Sequence, residues 1–373
     1  MEKDKKKQVS TLTITCHDVY NAGAALQAYA LQTYLAKQGC KAGIIDYKPD
    51  YLSGHHKLTA VCNPKYDRPL IRELYLLAKL PGRLAGLRYK RAFDAFTAKY
   101  FKLTRRYSSF SELCAAPPKA DIYFAGSDQI WNPIFPNGKD PAFYLEFVSD
   151  GIRASYAASF AVEEIPTELR SVMSERIKKF DHVSVRESSA LNILEQLDIH
   201  DGCTVVDPVF LLTQDHWAEM ARPISKKNKN YLLVYDFDND PTIRSIAQKA
   251  AAERGLDIYS VFNVPYAKKC FAHVGPQEFL GLISGADFVL SNSFHATAFS
   301  IIFEKDFAVT ARRDGINIRM QDLTATLGLN SRMASNEFAQ LGKIDYTHVK
   351  ERLSALTESS KAYIKYILEE AET

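Results

Sequence analysis

One segment, residues 286–303, has the sequence ADFVLSNSFHATAFSIIF, in which one apolar run passes into a second through small and polar residues. Residues 286–290 are typical of a buried strand, and residues 296–303 of a helix packed against it. His295 then lies at the carboxyl end of the strand, where a crevice opens in an open α/β sheet. The pattern makes His295 a candidate for chemistry, although a buried or capping histidine would give the same pattern.

Strand-like and helix-like segments alternate on both sides of this segment. Upstream, a strand at 11–15, a helix at 24–38 and a strand at 42–47 form a βαβ unit, with Gly39 as the helix C-cap. The same alternation predicts strands at 122–125, 154–158, 182–185 and 204–206 and helices at 167–180 and 187–197. A second series predicts a strand at 231–235, a helix at 242–254, a strand at 257–261, a helix at 276–284 and the strand at 286–290.

The sequence therefore predicts an α/β protein with two Rossmann-like parallel-sheet domains. We predict an N-terminal domain over 1–221, with a basic helical insertion at about 55–118, and a smaller C-terminal domain over 222–345. A polar, basic stretch at 222–230 is interpreted as the linker between them. Residues 346–373 are expected to form a charged amphipathic helix.

Composition narrows the class of protein. With 373 residues, 46% hydrophobic and 24% charged, the chain is typical of a globular protein of about two domains. The 47 basic and 44 acidic residues give a net charge of +3, so the balance of charge does not indicate nucleic-acid binding. The six cysteines form no CxxC pair, which argues against a zinc site or a disulfide framework and suits a reducing cytoplasm.

The basic residues at 3–7 precede an alternating strand-like pattern at 10–16, so we read no export signal there. No apolar run approaches the roughly 20 residues that span a bilayer, and the predicted location is the cytoplasm. Within the basic insertion, residues 70–80 and the cations Arg83, Arg88, Lys90 and Arg91 allow two interpretations. The insertion could lie on the cytoplasmic face of the inner membrane, or it could be a helical pair that covers the sheet with a solvated basic face. The second is favoured.

Three further motifs accompany the segment that contains His295. They are NAGAALQAYALQ at 21–32, AGSDQIWN at 125–132 and VSVRESS at 183–189. With these motifs in the family's order, from about residue 11 to about residue 332, the chain resembles the polysaccharide pyruvyltransferase family. The resemblance implies a two-domain GT-B-like fold with a cleft between the domains, and a C-terminal helix that packs back on the first domain. It also implies transfer of pyruvate from phosphoenolpyruvate, as donor substrate, to sugar hydroxyls, with no cofactor and no metal.

The resemblance supplies candidate donor-binding residues. Phosphoenolpyruvate carries a phosphate and a carboxylate, which guanidinium, ammonium and imidazolium groups and helix N-termini bind. Arg186 follows an apolar strand and precedes a predicted helix, where the family carries an arginine; pairing with Glu187 is the structural alternative. Lys305 and Arg319 match basic positions of the family, although Lys305 could form a surface ion pair.

Ser293 stands on the donor side where many relatives have an arginine, in an Arg-x-His triplet. The lost positive charge would come from another basic residue, or the donor would differ. The candidates for that charge are Arg186, Lys305, Arg312, Arg313 and Arg319.

The candidate residues for catalysis and acceptor binding also follow predicted strands. Protonation of the methylene carbon of phosphoenolpyruvate needs a general acid, and imidazole titrates near neutral pH, so His295 is the candidate acid or, alternatively, a phosphate clamp. Asp128 would act as a base or would orient an acceptor hydroxyl, and Trp131 would stack on a sugar ring. The remaining acceptor candidates are Asn21, Gly23, Ser127 and Gln129. A helix cap, a core aromatic and a plain turn are the structural alternatives.

The predicted function is a pyruvyltransferase that forms a pyruvate ketal on a sugar of a bacterial surface polysaccharide or its lipid-linked precursor and releases phosphate. A nucleotide-sugar glycosyltransferase and a non-catalytic glycan-binding subunit are the alternatives. Neither a G-x-G-x-x-G after the first strand nor a P-loop motif is present, so a dinucleotide enzyme is not indicated.

Overall fold

The computed structural model describes residues 8–53, 61, 65, 68–224, 230–312, 317–334 and 342–373. The strands are β1 (Ser10–Ile14), β2 (Lys41–Tyr47), β3 (Leu103–Tyr107), β4 (Ile122–Ala125), β5 (Ile152–Ser155), β6 (Ser184–Val185), β7 (Cys203–Thr204), β8 (Tyr231–Tyr235), β9 (Asp257–Ser260), β10 (Lys269–Cys270), β11 (Phe288–Ser291) and β12 (Asp306–Val309). The α-helices are α1 (Ala22–Lys37), α2 (Asp50–Ser53), α3 (Pro69–Tyr100), α4 (Phe110–Ala115), α5 (Thr167–Ile177), α6 (Ser189–Gln196), α7 (Gln214–Met220), α8 (Pro241–Arg254), α9 (Pro276–Ser284), α10 (Phe294–Ile302), α11 (Ile318–Thr326) and α12 (Tyr346–Glu370).

The first sheet has the strand order β3-β2-β1-β4-β5, and every pairing in it is parallel. β4 is buried along its whole length, as expected for a central strand covered on both faces. β6 and β7 pair with each other and extend this sheet through isolated bridges, among them Ala158 to Val185. Sequence analysis missed β3, because its sequence LTRRY carries three polar residues in succession at the edge of the sheet.

The second sheet has the order β10-β9-β8-β11-β12 and is also parallel throughout. β11 lies between β8 and β12, so the strand predicted at 286–290 is central, and its observed bounds are shifted slightly toward the carboxyl end. The short strands β10 and β12 were not predicted. The prediction of two Rossmann-like parallel-sheet domains is confirmed, whereas the predicted domain bounds stay predictions.

Both sheets reverse their strand order at one place, between β1 and β4 in the first and between β8 and β11 in the second. Crevices form outside the carboxyl ends of the strands at such switch points. Asn21 and Asp128 follow β1 and β4, and Asp236 and His295 follow β8 and β11. The sequence motifs therefore cluster because the topology brings these four strand ends to the carboxyl edges of the two sheets.

The basic insertion contains one helix of 32 residues, α3, rather than the helical pair that was favoured. Its second half packs on the first domain through Phe93 and Phe96, which are 4% and 3% exposed. Within the described ranges, no helix combines the length and the apolar character that crossing a bilayer requires. Residues 225–229 of the expected linker lie outside the described residues.

The last helix, α12, contacts the first domain. The Tyr363 hydroxyl donates to the Ser155 carbonyl (2.9 Å), and the Ser360 hydroxyl accepts from the Val206 amide (2.9 Å). The chain therefore crosses from the second domain back to the carboxyl side of β5 and β7 before it ends.

Candidate functional site

His295 occupies the first turn of α10. Ser293 is the N-cap of this helix, and its hydroxyl accepts from the Ala296 amide (3.4 Å). The helix begins at Phe294, two residues earlier than predicted, because the polar N-cap ends the extended backbone that follows β11. His295 is only 7% exposed. Its imidazole is therefore largely buried and presents only a small part of its surface to solvent.

The imidazole packs against the start of α1 in the other domain. Asn21 caps this helix, with its side chain accepting from the Ala24 amide (3.2 Å). A Cβ atom placed on Gly23 would lie 2.2 Å from Nδ1 of His295. Sequence analysis assigned Gly23 to close approach of a ligand, but in the structure the group that approaches it is His295. The two domains thus meet at the candidate catalytic residue.

Gly23→Ala should displace His295, because the added methyl group and the imidazole cannot occupy the same space. We expect a loss of about 10²-fold in kcat with little change in donor affinity, since misplacement by about 1 Å can cost that much. Steady-state kinetics would measure it. Gly342→Ala is the matched control, because a Cβ at Gly342 meets no atom within 4 Å. Equal activity of both variants would contradict the assigned position of His295.

A buried ion-pair cluster surrounds His295. Asp207, which is fully buried, accepts a hydrogen bond from Arg186 at 2.7 Å and lies 3.6 Å from Nε2 of His295. Burial alone would raise the pKa of Asp207, but His295 and Arg186 outweigh it and hold the pKa well below its usual range. The Ser127 hydroxyl also lies 3.3 Å from this carboxylate. Asp207 is therefore an anion that orients both a guanidinium and the imidazole.

A second carboxylate, Asp128, lies between two arginines. Its Oδ1 is 3.4 Å from a nitrogen of Arg186 and 3.4 Å from one of Arg319, which reaches it from the second domain. Burial opposes the charge of Asp128, but Arg186, His295 and Arg319 together lower its pKa. Asp128 has a φ of 71°, in the left-handed region that aspartate tolerates better than most residues.

Arg319 is the less neutralised of the two arginines. Burial, followed by the charge of Arg186, lowers its pKa to about 10, whereas Asp207, Asp128 and Glu187 outweigh burial and raise the pKa of Arg186. Besides the long contact to Asp128, Arg319 donates to the Gln129 amide oxygen (2.7 Å) when the Gln129 amide is turned so that its oxygen faces the guanidinium. The site thus holds a buried cation, Arg319, whose charge Asp128 and Glu187 compensate only in part.

Three buried nitrogens of this cluster have no hydrogen-bond partner within the described part of the chain: Nε of Arg186, Nε of Arg319 and Nε2 of His295. Buried donors are normally satisfied, so each of these groups is costly unless a ligand or water completes it. Both guanidiniums lie over the ring of Phe294, at 4.3 Å for Arg186 and 5.7 Å for Arg319. The Phe294 ring thus makes cation–π contacts with both positively charged groups.

The cluster adjoins a cleft between the domains of about 440 Å³, which we call the cationic cleft. It is lined by Asn21, Asp128, Gln129, Phe237, Asn292, Ser293, Phe294, His295, Arg312, Arg319 and Met320. Arg312 lies over the ring of Phe237 at 4.8 Å and brings a third guanidinium to this cleft. Among the described residues, no group of three or more His, Cys, Asp or Glu side chains is arranged to hold a metal ion.

A second cleft of about 750 Å³, which we call the aromatic cleft, shares Asn21 and Phe237 with the cationic cleft. Its walls are mainly apolar and come from both domains and from α3. The lining residues are Val19, Tyr20, Asn21, Ala22, Tyr89, Phe93, Tyr235, Phe237, Val261, Phe262, Phe271, Ala272, Val274 and Phe279.

Three predicted site residues are not available to a ligand in the cleft. Trp131 is fully buried, packs among aromatic rings and donates to the Phe143 carbonyl (3.1 Å), so the core alternative is correct and it has no free face for a sugar. Ser127 is fully buried, and its hydroxyl donates to the Ala157 carbonyl (3.0 Å). Lys305 follows the far end of α10 and precedes β12, so it lies at the opposite edge of the sheet from His295.

The remaining candidates are brought together. Asn21, Asp128, Gln129, Ser293, His295 and Arg319 line the cationic cleft, and Arg186 supports it from behind through Asp128. Helix α6 begins at Ser189, three residues after Arg186, and the arginine itself is held by the carboxylates of Asp128 and Asp207. Arg313 lies outside the described residues.

Sequence analysis missed Asp207. It follows β7 and caps a short 3₁₀ helix, Pro208–Leu211, by accepting from the Val209 amide (3.1 Å). The signal was present, because Asp207-Pro208 follows the apolar strand predicted at 204–206. From sequence alone, a carboxylate at such a strand end cannot be distinguished from an ordinary helix cap. Its contacts with Arg186 and His295 are visible only in the structure.

The geometry can be compared with known proteins. A search of curated proteins found no match. The chain resembles the solved UDP-GlcNAc 2-epimerase from Neisseria meningitidis bound to UDP-GlcNAc, with 12% identity, a TM-score of 0.45, and coverage of 97% of this chain and 94% of that one. It also resembles a putative UDP-N-acetylglucosamine 2-epimerase from Listeria monocytogenes, with 10% identity, a TM-score of 0.48, and coverage of 97% of this chain and 91% of that one. For E. coli heptosyltransferase WaaC with ADP, the identity is 10%, the TM-score is 0.41, and the coverage is 94% of this chain and 99% of that one.

These structural likenesses are too weak to bear on activity. The family model for polysaccharide pyruvyl transferase matches residues 21–314, which include the starts of α1 and α10 and the whole ion-pair cluster except Arg319. That match covers well over half of the 373 residues. The chain therefore belongs to the polysaccharide pyruvyl transferase family.

Proposed function

We propose that this transferase moves the pyruvyl group of phosphoenolpyruvate onto two hydroxyls of a sugar, forming a ketal and releasing phosphate. The observation that carries the donor assignment is Arg319, a buried and only partly compensated guanidinium that shares the ring of Phe294 with Arg186 and lines the same cleft as His295. A ligand with a phosphate and a carboxylate would supply acceptors to the unpartnered donors of this cluster. A neutral donor would not complement the positive charge of these guanidiniums.

His295 is assigned as the general acid. In its cationic form it gives a proton to the methylene carbon of the donor, and the double-bond electrons form the new C–H bond. The adjacent carbon becomes positive and is attacked by a sugar hydroxyl, whose proton passes to the imidazole that the first step left neutral. Asp207, at 3.6 Å, stabilises the imidazolium before transfer and fixes its orientation.

Phosphate then leaves from the same carbon with the bonding electron pair, and a second hydroxyl of the sugar closes the ketal ring as its proton passes to the departing phosphate. Arg319 and Arg186 stabilise the negative charge of the departing phosphate. Asp128 is assigned to orienting the acceptor, because the neighbouring cations lower its pKa and make it a weak base.

The acceptor sugar is assigned to the side of Asn21 and Phe237. Phe237 is 38% exposed and borders both clefts, so a sugar ring against it would present its hydroxyls to the cationic cleft. This assignment replaces the one made for Trp131. An acceptor of a bacterial surface polysaccharide, or its lipid-linked precursor at the cytoplasmic face of the membrane, belongs to the same proposal.

Direct binding of phosphoenolpyruvate tests the donor assignment. At about 100 times its dissociation constant the donor should stabilise the wild type by about 2.7 kcal/mol, while UDP has no effect. Arg319→Met should weaken binding at least about tenfold, because a charge-assisted hydrogen bond contributes about 1.5–3 kcal/mol. Thermal shift and calorimetry measure both effects. Arg222→Met, in a solvent-exposed pair with Glu278, is the control.

Saturable UDP binding that phosphoenolpyruvate does not displace would replace this proposal with a nucleotide-sugar glycosyltransferase. Binding of neither ligand, together with retained binding of glycans, would favour a non-catalytic glycan-binding subunit.

A further inference from the structure

The first half of α3 has an exposed apolar surface that packing within this chain does not explain. Leu74, Leu77, Leu80 and Leu84 are 68%, 66%, 39% and 52% exposed. They supply four of the ten large hydrophobic side chains that are exposed among the described residues, so the apolar surface is concentrated on this one helix. We call these four leucines the leucine stripe.

The stripe lies on one side of the helix. At 3.6 residues per turn, its four positions fall within a sector of about 120°, whose centre lies about 130° around the helix from the mean direction of Tyr89, Phe93 and Phe96. Those three aromatics attach the second half of α3 to the domain, where Phe93 packs against Tyr89 and Tyr20. One helix thus has an inner face fixed to the protein and an outer apolar face left to solvent.

The charge around the stripe is strongly positive. Residues 68–91 contain seven arginines and lysines and a single acidic residue, Glu73, although the whole chain is nearly balanced. Arg88 and Arg91, both exposed, follow Leu84 by one to two turns and, at 3.6 residues per turn, fall within the same sector as the stripe. A second copy of the chain would bring the same positive surface against this one, whereas an anionic surface would complement it.

We propose that the first half of α3 docks on an anionic lipid bilayer. The leucine stripe enters the boundary between headgroups and acyl chains, and the flanking cations contact lipid phosphates, as in interfacial amphipathic helices. Each basic residue near such a surface contributes about 1 kcal/mol, and this part of the attraction falls with salt. An anionic bilayer is the proposed partner, because it complements both the exposed leucines and the positive charge around them.

The docked helix leads to the site. A few turns beyond the stripe, Tyr89 and Phe93 form part of the wall of the aromatic cleft, which shares Asn21 and Phe237 with the cationic cleft. Docking would therefore hold this opening close to an acceptor carried by a membrane lipid. This last step rests on the proposed function, whereas docking itself does not.

Flotation of the full chain with lipid vesicles tests the proposal. Vesicles of phosphatidylglycerol and phosphatidylcholine in equal parts should bind the wild type, and vesicles of phosphatidylcholine alone should bind it much more weakly. The double variant L74E/L77E should lose about tenfold or more in partitioning to the mixed vesicles. Tyr366→Glu, on α12 and 62% exposed, should bind like the wild type. Melting temperatures show that all variants fold.

Failure of the wild type to float with anionic vesicles, or unchanged flotation of the double variant, would overturn the proposal. A wild-type dimer in gel filtration that L74E/L77E converts to monomer, without vesicle binding, would assign the stripe to a second copy and overturn it as well. Vesicle binding does not require pyruvyl transfer, so loss of one leaves the other measurable.

Discussion

His295→Gln is expected to lower the rate of pyruvyl transfer by about 10²–10⁴-fold, the usual contribution of general acid catalysis. Glutamine has a similar length and can hydrogen-bond to Asp207, but it cannot give a proton to carbon. Alanine would be a poorer choice, because His295 is 7% exposed and fills the space above Gly23. Single-turnover release of phosphate measures the chemical step. Donor affinity, measured by calorimetry, should change far less.

A matched control exists in the first domain. His17 is also buried, and its Nε2 lies 3.4 Å from Oδ1 of Asp46, so it forms a second buried histidine–aspartate pair. Its environment is structural, with an edge-to-face contact to Phe101. His17→Gln should therefore affect the melting temperature at least as much as His295→Gln, yet retain transfer. If His295→Gln kept wild-type turnover, His295 would not be the acid, and phosphate binding would be its remaining role.

The chemistry of the proposal depends on charges that the fold brings together from both domains. Arg186 and Asp207 follow β6 and β7 of the first domain, and Asp128 follows β4. His295 and Arg319 come from α10 and α11 of the second domain. The two domains therefore share one electrostatic unit. A relative movement of the domains would change the distances from Asp128 to Arg319 and from Asp207 to His295, so we expect binding of the proposed donor to depend on domain position.

Local patterns predicted the alternation of strands and helices well, because apolar runs and caps act within a few residues. The β11–α10 junction followed from a single segment, and the bounds of β4, α9 and α12 matched. The prediction missed β3, because an edge strand such as this one can form from a sequence with few apolar residues. α3 was expected as a pair of helices, but the structure has one helix that continues through Pro81 and Gly82, residue types that usually interrupt or weaken a helix.

The side chains of the site were harder to predict than the elements. Trp131 and Asp128 stand three residues apart after the same strand, yet one enters the core and the other reaches the cleft. Nothing in their spacing separates these outcomes. The contact between Asp128 and Arg319 joins residues 191 positions apart, and Asp207 acquires its role only from such distant neighbours. The sequence pattern therefore identified the strand ends at which the site lies. Which residues at each strand end face the cleft could be determined only from the tertiary structure.

Arg186→Met should destabilise the protein by about 3–5 kcal/mol at neutral pH, because it leaves Asp207 buried without its guanidinium partner. Arg319→Met should stay within about 1 kcal/mol of wild type, since burial and Arg186 already oppose the charge of Arg319 and Asp128 keeps Arg186. Both variants should bind phosphoenolpyruvate weakly. Urea unfolding followed by the fluorescence of the two buried tryptophans, Trp131 and Trp217, measures the difference.

The pH dependence of this difference gives a second test with a fixed sign. The folded-state pKa values of Asp207 and Asp128 are lowered, so their contribution is complete above the unfolded value of about 3.9 and is lost as pH falls through the folded values. The gap between wild type and Arg186→Met should therefore shrink below about pH 4, by up to about 1.4 kcal/mol per pH unit for each carboxylate. A gap that stayed constant to lower pH would show that Arg186 stabilises the fold by packing on Phe294 rather than by neutralising these two carboxylates.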